Sequence, residues 1–426
     1  MQTGKPGLAY PIIRRFLEKE PNVPHGWNNL GKCAHDLHDI DEAERCFRRS
    51  LKLEAKDYMA LYNLGLMHLN RAEPKRCIDF CNQALSIAPD FDQAKFTLGM
   101  AQLMLRQWDK GWANYEASAG SHADRKERVY RDEDRWDGSK GKTVVVFGEQ
   151  GIGDEINFAS VLPDMIKDCK KVIYECDARL EGLFRRSFPQ VEVYGTRYKP
   201  EIDWADRLND VDARIPLASL TKFYRTTAES FPGTPFLTAD PERRIQWRAL
   251  LDSLGPKLKV GIAWKGGLNV TGKKYRSTTL DALEPVLRQD ATFISLQYRD
   301  PTEEIAAFTA KTGIPIHHWA RAAEAKDYDE TAALVAELDL VISVTTSVIH
   351  LSGGLGKECL VLVPSMPTWR YGLEGNLPWY KSVELIRQKT NNSWLDPIHE
   401  AAFRLRNRIN GGQQLRLTRE RNSLAA

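Results

Sequence analysis

The sequence predicts an all-α helical repeat array followed by an α/β region built from two Rossmann-like lobes in series. Three observations carry this reading. Leu30-Gly31, Leu64-Gly65 and Leu98-Gly99 recur at intervals of 34 residues, a period at which paired helices stack into an array. Beyond residue 142 the pattern changes to β-branched runs alternating with helical ones, the rhythm of βαβ units. The alternation then restarts after a Gly255-Pro256 break, which marks a second lobe.

Composition narrows the function classes. The 426 residues are 42% apolar and 27% charged, enough to bury a large core in two or three domains. Sixty basic against fifty-seven acidic side chains leave a dispersed +3, which argues against a nucleic-acid partner. No apolar run reaches the eighteen or so residues of a membrane span, and the start, MQTGKPGLAYPIIRRFLEKE, has no secretory-signal pattern. The expectation is a cytoplasmic protein that is not integral to the membrane, with a peripheral position at an inner membrane left open. The seven cysteines form no CxxC pair and are expected as reduced thiols; Cys77 and Cys81 share a helical face, where packing is the expected role.

Within residues 1–119 the repeat positions agree with one another. Trp27, Leu61 and Lys95 precede the Leu-Gly pairs; Ala43, Cys77 and Gly111 open the second helices; Phe47, Cys81 and Tyr115 follow one turn later; Pro21 and Pro89 close repeats. Ala9 extends the frame backwards, for about three and a half units. Small residues let paired helices approach and large ones fill the gaps, so stacking buries faces that no single unit could bury. The pattern is that of the tetratricopeptide (TPR) repeat. The resemblance implies a groove for a protein or peptide; bracing the second domain or dimerising the chain is the plainer alternative.

Residues 120–142 are charged, aperiodic and glycine-punctuated, and are expected as a linker that Arg135-Trp136-Asp137-Gly138 docks. A first lobe over 143–238 opens with the strand Thr143–Phe147 and the turn GEQGIGDEINFASVLPDM (148–165), which runs into a helical pattern. Its glycine order, GxxGxG, is not the GxGxxG of a dinucleotide fold. Strand-like Lys171–Glu175, helical Arg179–Ser187, strand-like Val191–Tyr194 and Ala213–Leu217 follow.

The stretch GEQGIGDEINFASVLP resembles the opening of the heptosyltransferase-like family, glycosyltransferase family 9, particularly its TPR-fused members. The resemblance covers residues 112–410 and implies a GT-B-type pair of Rossmann-like domains. It also implies that Asp154 is the catalytic base, on an acceptor-side loop with Gly151, Gly153 and Glu155. An inverting transfer needs one carboxylate to take the acceptor hydroxyl's proton. Asp154 equally suits a helix cap, and the two roles are compatible. Glu149 and Glu155 are the nearest substitutes.

An inter-lobe connection (239–258) leads to the second lobe, 259–390, beginning with strand Lys259–Trp264. The loop WKGGLNVTGKKYRSTTL gathers Lys265, Lys273, Lys274 and Arg276 among Gly266, Gly267 and Gly272. That composition suits a diphosphate, because glycines admit backbone N–H groups and cations neutralise charge; a solvated surface loop is the alternative. Strand Thr292–Leu296 delivers Gln297 to the same side. Strand Leu340–Val344 then runs into Thr345-Thr346-Ser347, hydroxyls at the start of a helix carrying His350, where open α/β sheets bind phosphorylated ligands. Family members carry an aspartate–Thr/Ser–x–x–x–His motif here to hold a nucleotide sugar, and the sequence departs from it with Thr345 in the aspartate position. The segment PTWRYGLEGNLPWYKSVELIRQ (367–388) resembles the family's tryptophan-rich stretch, with Trp369 and Arg370 either bordering the sugar or packing. Residues 391–426 are expected as a helix that crosses back to the first lobe and a loose tail.

Five Asp-x-Asp spacings occur, at 39/41, 90/92, 132/134, 210/212 and 327/329, too many to point to a metal site. The expectation is an inverting, metal-independent glycosyltransferase without cofactor. It would move a sugar from a nucleotide-diphosphate donor to a glycan, lipopolysaccharide or protein hydroxyl, with the TPRs recruiting the acceptor or a partner. The alternative is a TPR interaction scaffold whose transferase-like domain has lost turnover. Donor base, sugar and acceptor are not written in the sequence.

Overall fold

The computed structural model describes residues 5–119, 125–130, 133–199, 202–205, 210–267, 273–323, 327–390 and 393–424, with side chains through residue 411. The chain forms two compact units, Met1–Ala123 with Met366–Leu373, and Asp124–Ser365 with Glu374–Ala426.

The first unit is the repeat array: α1 (Pro6–Lys19), α2 (Pro24–Asp36), α3 (Ile40–Leu53), α4 (Tyr58–Asn70), α5 (Pro74–Ile87), α6 (Asp92–Met104) and α7 (Trp108–Tyr115). Proline opens α1, α2 and α5, where its missing N–H has no intrahelical partner to lose. Asp39 and Asp57 accept from Glu42 N and Ala60 N and so cap α3 and α4. The recurrent glycine has a steric cause: a Cβ on Gly31 would lie 2.7 Å from the Phe47 ring, and one on Gly99 2.5 Å from the Tyr115 backbone N. The turns inside the three complete repeats also recur, with His38, Ala72 and Arg106 at φ of 66°, 59° and 59°, one period apart.

The segment Met366–Leu373, expected within the second lobe, belongs instead to this unit. Trp369 is 5% exposed and meets Trp112 and Tyr115 edge-on, at centroid distances of 5.4 and 5.6 Å. Aromatic packing of this kind holds the segment by burying ring area.

The second unit contains two parallel sheets. The first has order β1-β5-β2-β3-β4, from β1 (Asp134–Arg135), β2 (Thr143–Phe147), β3 (Lys171–Glu175), β4 (Val191–Tyr194) and β5 (Ala213–Pro216). Its helices are α8 (Ile152–Ala159), α9 (Leu162–Asp168), α10 (Glu181–Ser187) and α11 (Thr221–Tyr224). The second sheet, ordered β11-β10-β9-β6-β7-β8, comprises β6 (Lys259–Ala263), β7 (Thr292–Ser295), β8 (Ile316–His317), β9 (Leu340–Val344), β10 (Cys359–Val363) and β11 (Val383–Arg387). It is flanked by α12 (Pro241–Asp252), α13 (Leu280–Leu287), α14 (Thr302–Thr312), α15 (Ala320–Ala323), α16 (Tyr328–Glu337), α17 (Ser347–Gly354) and α18 (Leu395–Leu424). β2, β6, β9 and β10 are buried along their whole length, as strands covered on both faces must be.

In each sheet the chain order reverses at one strand, β2 in the first and β6 in the second. β2 lies between β5 and β3, and β6 between β9 and β7. Ligands of doubly wound sheets bind at the carboxyl ends of strands at that switch, so the topology singles out the turns after β2, β6 and β9.

The linker docks through Arg135 and Trp136 as expected, and two expectations for the C-terminal segment are corrected. The described part of the linker is built into the first lobe: β1 pairs with β5, Trp136 is 2% exposed, and its N–H donates to Arg214 O at 2.9 Å. The described part of α18 does not cross back, because Ile398, Ala401, Leu405 and Ile409 join the core formed by Val260, Ile342 and Leu362 of the second lobe. The tail expected to be loose continues α18 to Leu424. Gly272 and residues 120–124 and 131–132 lie outside the described residues.

Candidate functional site

The turn after β2 carries three carboxylates with different environments. Glu149 is 3% exposed; it accepts from Arg125 Nε at 2.7 Å, from Arg125 Nη2 at 3.1 Å and from Ala218 N at 2.9 Å. Glu155 is fully buried and accepts from Tyr174 Oη at 2.9 Å, Asp177 N at 3.0 Å and Arg197 Nη1 at 2.7 Å. Burial pushes the Glu155 carboxyl up to about 7, against the pull of Arg197 and the N–H and O–H donors. Gly148 must be glycine, since a Cβ there would collide with the Glu155 carboxylate. Asp154, by contrast, is only half-buried. It is the third residue of α8, and its Oδ2 accepts from Gly151 N at 3.4 Å, half of a capping box. The expected capping role therefore holds in this form, and it leaves Asp154 as the most exposed of the three carboxylates.

Arg197 was not singled out from the sequence. Its guanidinium joins Glu155 to the carbonyl of Gln150, which it reaches at 2.5 Å. Gln150 has φ of 64°, a left-handed conformation that costs a non-glycine residue about 1–2 kcal/mol. Arg197 thus ties the strained centre of the turn to the buried end of α8. Only the fold could reveal this, because Arg197 and Glu155 are 42 residues apart.

On the second lobe the turns after β6 and β9 touch. A Cβ on Gly266 would lie 2.8 Å from Thr345 O, so glycine permits the approach. Arg276 seals it, donating from Nε to Thr345 Oγ1 at 3.0 Å and from Nη2 to Thr345 O at 2.7 Å. Thr345 is buried, and Thr346 caps α17 by accepting from Val348 N at 3.3 Å. Ser347, half-buried, accepts from Tyr328 Oη at 3.0 Å. Gln297, expected toward the donor, is 2% exposed. Its Oε1 accepts from Trp264 N and Lys265 N, and its Nε2 donates to Lys265 O at 3.1 Å, so it braces the loop from within. Lys265 is ion-paired with Glu304, Lys274 lies 4.7 Å over the Tyr275 ring, and Gly267 takes φ of 76°. Trp369 and Arg370 pack in the repeat unit, the guanidinium 4.4 Å over the indole.

The two lobes meet at these turns. A Cβ on Gly153 would stand 3.1 Å from Ser347 Cα and 3.3 Å from His350 Cδ2, so the first turns of α8 and α17 abut. His350 is 4% exposed; its Nδ1 lies 3.3 Å from Tyr380 Oη, which donates to Asn157 Oδ1 at 3.0 Å. That chain of groups links α17 to α8 through Tyr380, a residue of the tryptophan-rich segment that was not singled out. Where two helices bring their amino ends together, backbone N–H groups and positive dipole ends suit an anion. A cavity of about 470 Å³ elsewhere in this unit, lined by Pro163, Arg225, Phe231 and Trp379 among others, contains none of the expected site residues. No group of three or more metal-ligating side chains occurs among the described residues.

The class defined by these features is a TPR array joined to a two-lobed parallel α/β domain whose glycine turns meet at the switch points. The tetratricopeptide repeat family matches residues 24–57. Over 416 residues the chain is 29% identical to Protein FlbA of Caulobacter vibrioides, spanning 93% of this chain and 70% of FlbA. Among solved structures it is similar to the Escherichia coli ADP-heptose lipopolysaccharide heptosyltransferase II, at 12% identity over 61% of this chain and 96% of that one, with a TM-score of 0.43. It is also similar to a mutant O-GlcNAc transferase of Thermobaculum terrenum, at 13% identity over 93% of this chain and 88% of that one, with a TM-score of 0.32. No helix among the described residues is long and apolar enough to cross a membrane.

Proposed function

We propose that the chain is an inverting glycosyltransferase that takes a sugar from a nucleotide-diphosphate donor held by the second lobe. The observation that supports this most is the abutment of Gly153 on Ser347 and His350, which sets the half-buried Asp154 beside the anion-suited start of α17. In the reaction an acceptor hydroxyl attacks the anomeric carbon, and the carbon–oxygen bond to the diphosphate breaks. The proton passes to the Asp154 carboxylate, and the nucleoside diphosphate leaves with the bonding electrons. Glu149 and Glu155 are held by arginines inside the fold and do not compete for the role.

Charge on the leaving diphosphate is met by the start of α17, by the Gly267 N–H group and by Arg276, without a metal ion. The acceptor is a glycan, lipopolysaccharide or protein hydroxyl, and the repeats hold the acceptor or a partner protein. Calorimetry with a panel of nucleoside diphosphates, followed by donor hydrolysis with the matching nucleotide sugars, tests the reading. Binding with slow hydrolysis is expected. Failure to bind any member of the panel would contradict it.

The second reading, an interaction scaffold without turnover, draws on Thr345 in the position where an aspartate is usual. Thr345 adds no negative charge beside Arg276, which donates to its hydroxyl and to its carbonyl. That arrangement still favours a diphosphate. Binding without hydrolysis of any donor would select the scaffold.

A further inference from the structure

Tyr298 lies outside the turns that carry Asp154, Arg276 and Thr345. Among the described residues of 259–390 it is the sole large hydrophobic side chain that stays exposed, at 39%. Its location is specific. It stands three residues after Ser295, at the carboxyl end of β7, the strand beside β6 on the side away from β9. Ligands of such sheets lie across these strand ends.

The ring is also held in place. Gln297, immediately before it, is fixed to the loop after β6 by three hydrogen bonds, and the Tyr298 hydroxyl donates to Gly267 O at 3.1 Å. The Arg299 guanidinium lies over the ring at 5.6 Å from its centroid. A flat, tethered aromatic surface beside a phosphate-suited turn has the makings of a stacking platform. Adjacent strands are about 4.8 Å apart, so the platform sits two strand spacings, roughly 10 Å, from the turn after β9. A ribose and its phosphates bridge such a gap.

We propose that Tyr298 stacks against the base of the nucleoside diphosphate and sets its affinity. The proposal rests on the reading of the second lobe as the nucleotide side. Stacking is tolerant of base identity, because every base offers a π face, so Tyr298 contributes binding for purine and pyrimidine donors alike. Discrimination between bases then falls to other groups.

The test is calorimetry on the full chain with ADP, GDP, UDP and inorganic pyrophosphate, for the wild type, Tyr298→Phe and Tyr298→Ala. The expected result is a loss of about tenfold or more in affinity for the nucleoside diphosphate that binds, in Tyr298→Ala alone, with pyrophosphate affinity unchanged in all three. Fluorescence of etheno-ADP should be quenched by the wild type and Tyr298→Phe and less so by Tyr298→Ala. Equal nucleotide affinity in Tyr298→Ala would overturn the stacking role while leaving the nucleotide reading intact. An equal loss for pyrophosphate would also overturn it, since the ring would then merely prop Gly267. A wild type that binds no nucleoside diphosphate would remove both this proposal and the reading beneath it.

Discussion

The three acidic residues of one turn show how burial sorts like side chains into different roles. Glu149 and Glu155 each face an arginine inside the fold, while Asp154 stays half-buried at the start of α8. Because the Glu155 carboxyl is raised above its ordinary value to about 7, the folded chain binds that proton more tightly than the unfolded one. The stability this brings is fully present below about 4.5 and is lost as pH rises through about 7. Urea unfolding of the wild type should show that decline, and Glu155→Gln should flatten it. Asp154 was legible in the sequence because a glycine turn between strand and helix announces itself locally. The fates of Glu149 and Glu155 were not, since Arg125 and Arg197 come from segments without periodicity and reach the turn only through tertiary folding.

Among the elements, the repeats were legible to the residue and the connections were not. A 34-residue period dictates small residues where helices cross, and the positions of Gly31, Gly65 and Gly99 follow from it. Gly99→Ala would push a methyl group into the backbone of α7 and should cost about 1–3 kcal/mol in a urea melt. Ala72→Gly should instead stabilise by up to about 1 kcal/mol, because it relieves a left-handed alanine at φ of 59°. The segment Met366–Leu373 and the strand β1 escaped a local reading because each is short and finds its hydrogen bonds or ring contacts with distant residues. At the ligand end, the starts of α8 and α17 with Arg276 supply the positive charge in this account. Chelation with EDTA should therefore leave nucleotide binding and donor hydrolysis unchanged, and a metal-restored rate would overturn the metal-free proposal.

For the molecule as a whole, the claim is a division of labour within the second unit. The first lobe brings a carboxylate and the second an anion-suited turn, and Gly153 against Ser347 and His350 joins them. Each turn announces itself locally, because each follows an apolar strand. Their meeting depends on the order of strands in two sheets and on the Asn157–Tyr380–His350 contacts, which span more than 200 residues of chain, 223 between Asn157 and Tyr380. The most direct test compares Asp154→Asn with the wild type, measuring sugar transfer or donor hydrolysis alongside nucleoside-diphosphate affinity. The expected outcome is a rate lower by about 10²–10⁴ with affinity nearly unchanged. An unchanged rate in an assay where the wild type turns over would contradict the account.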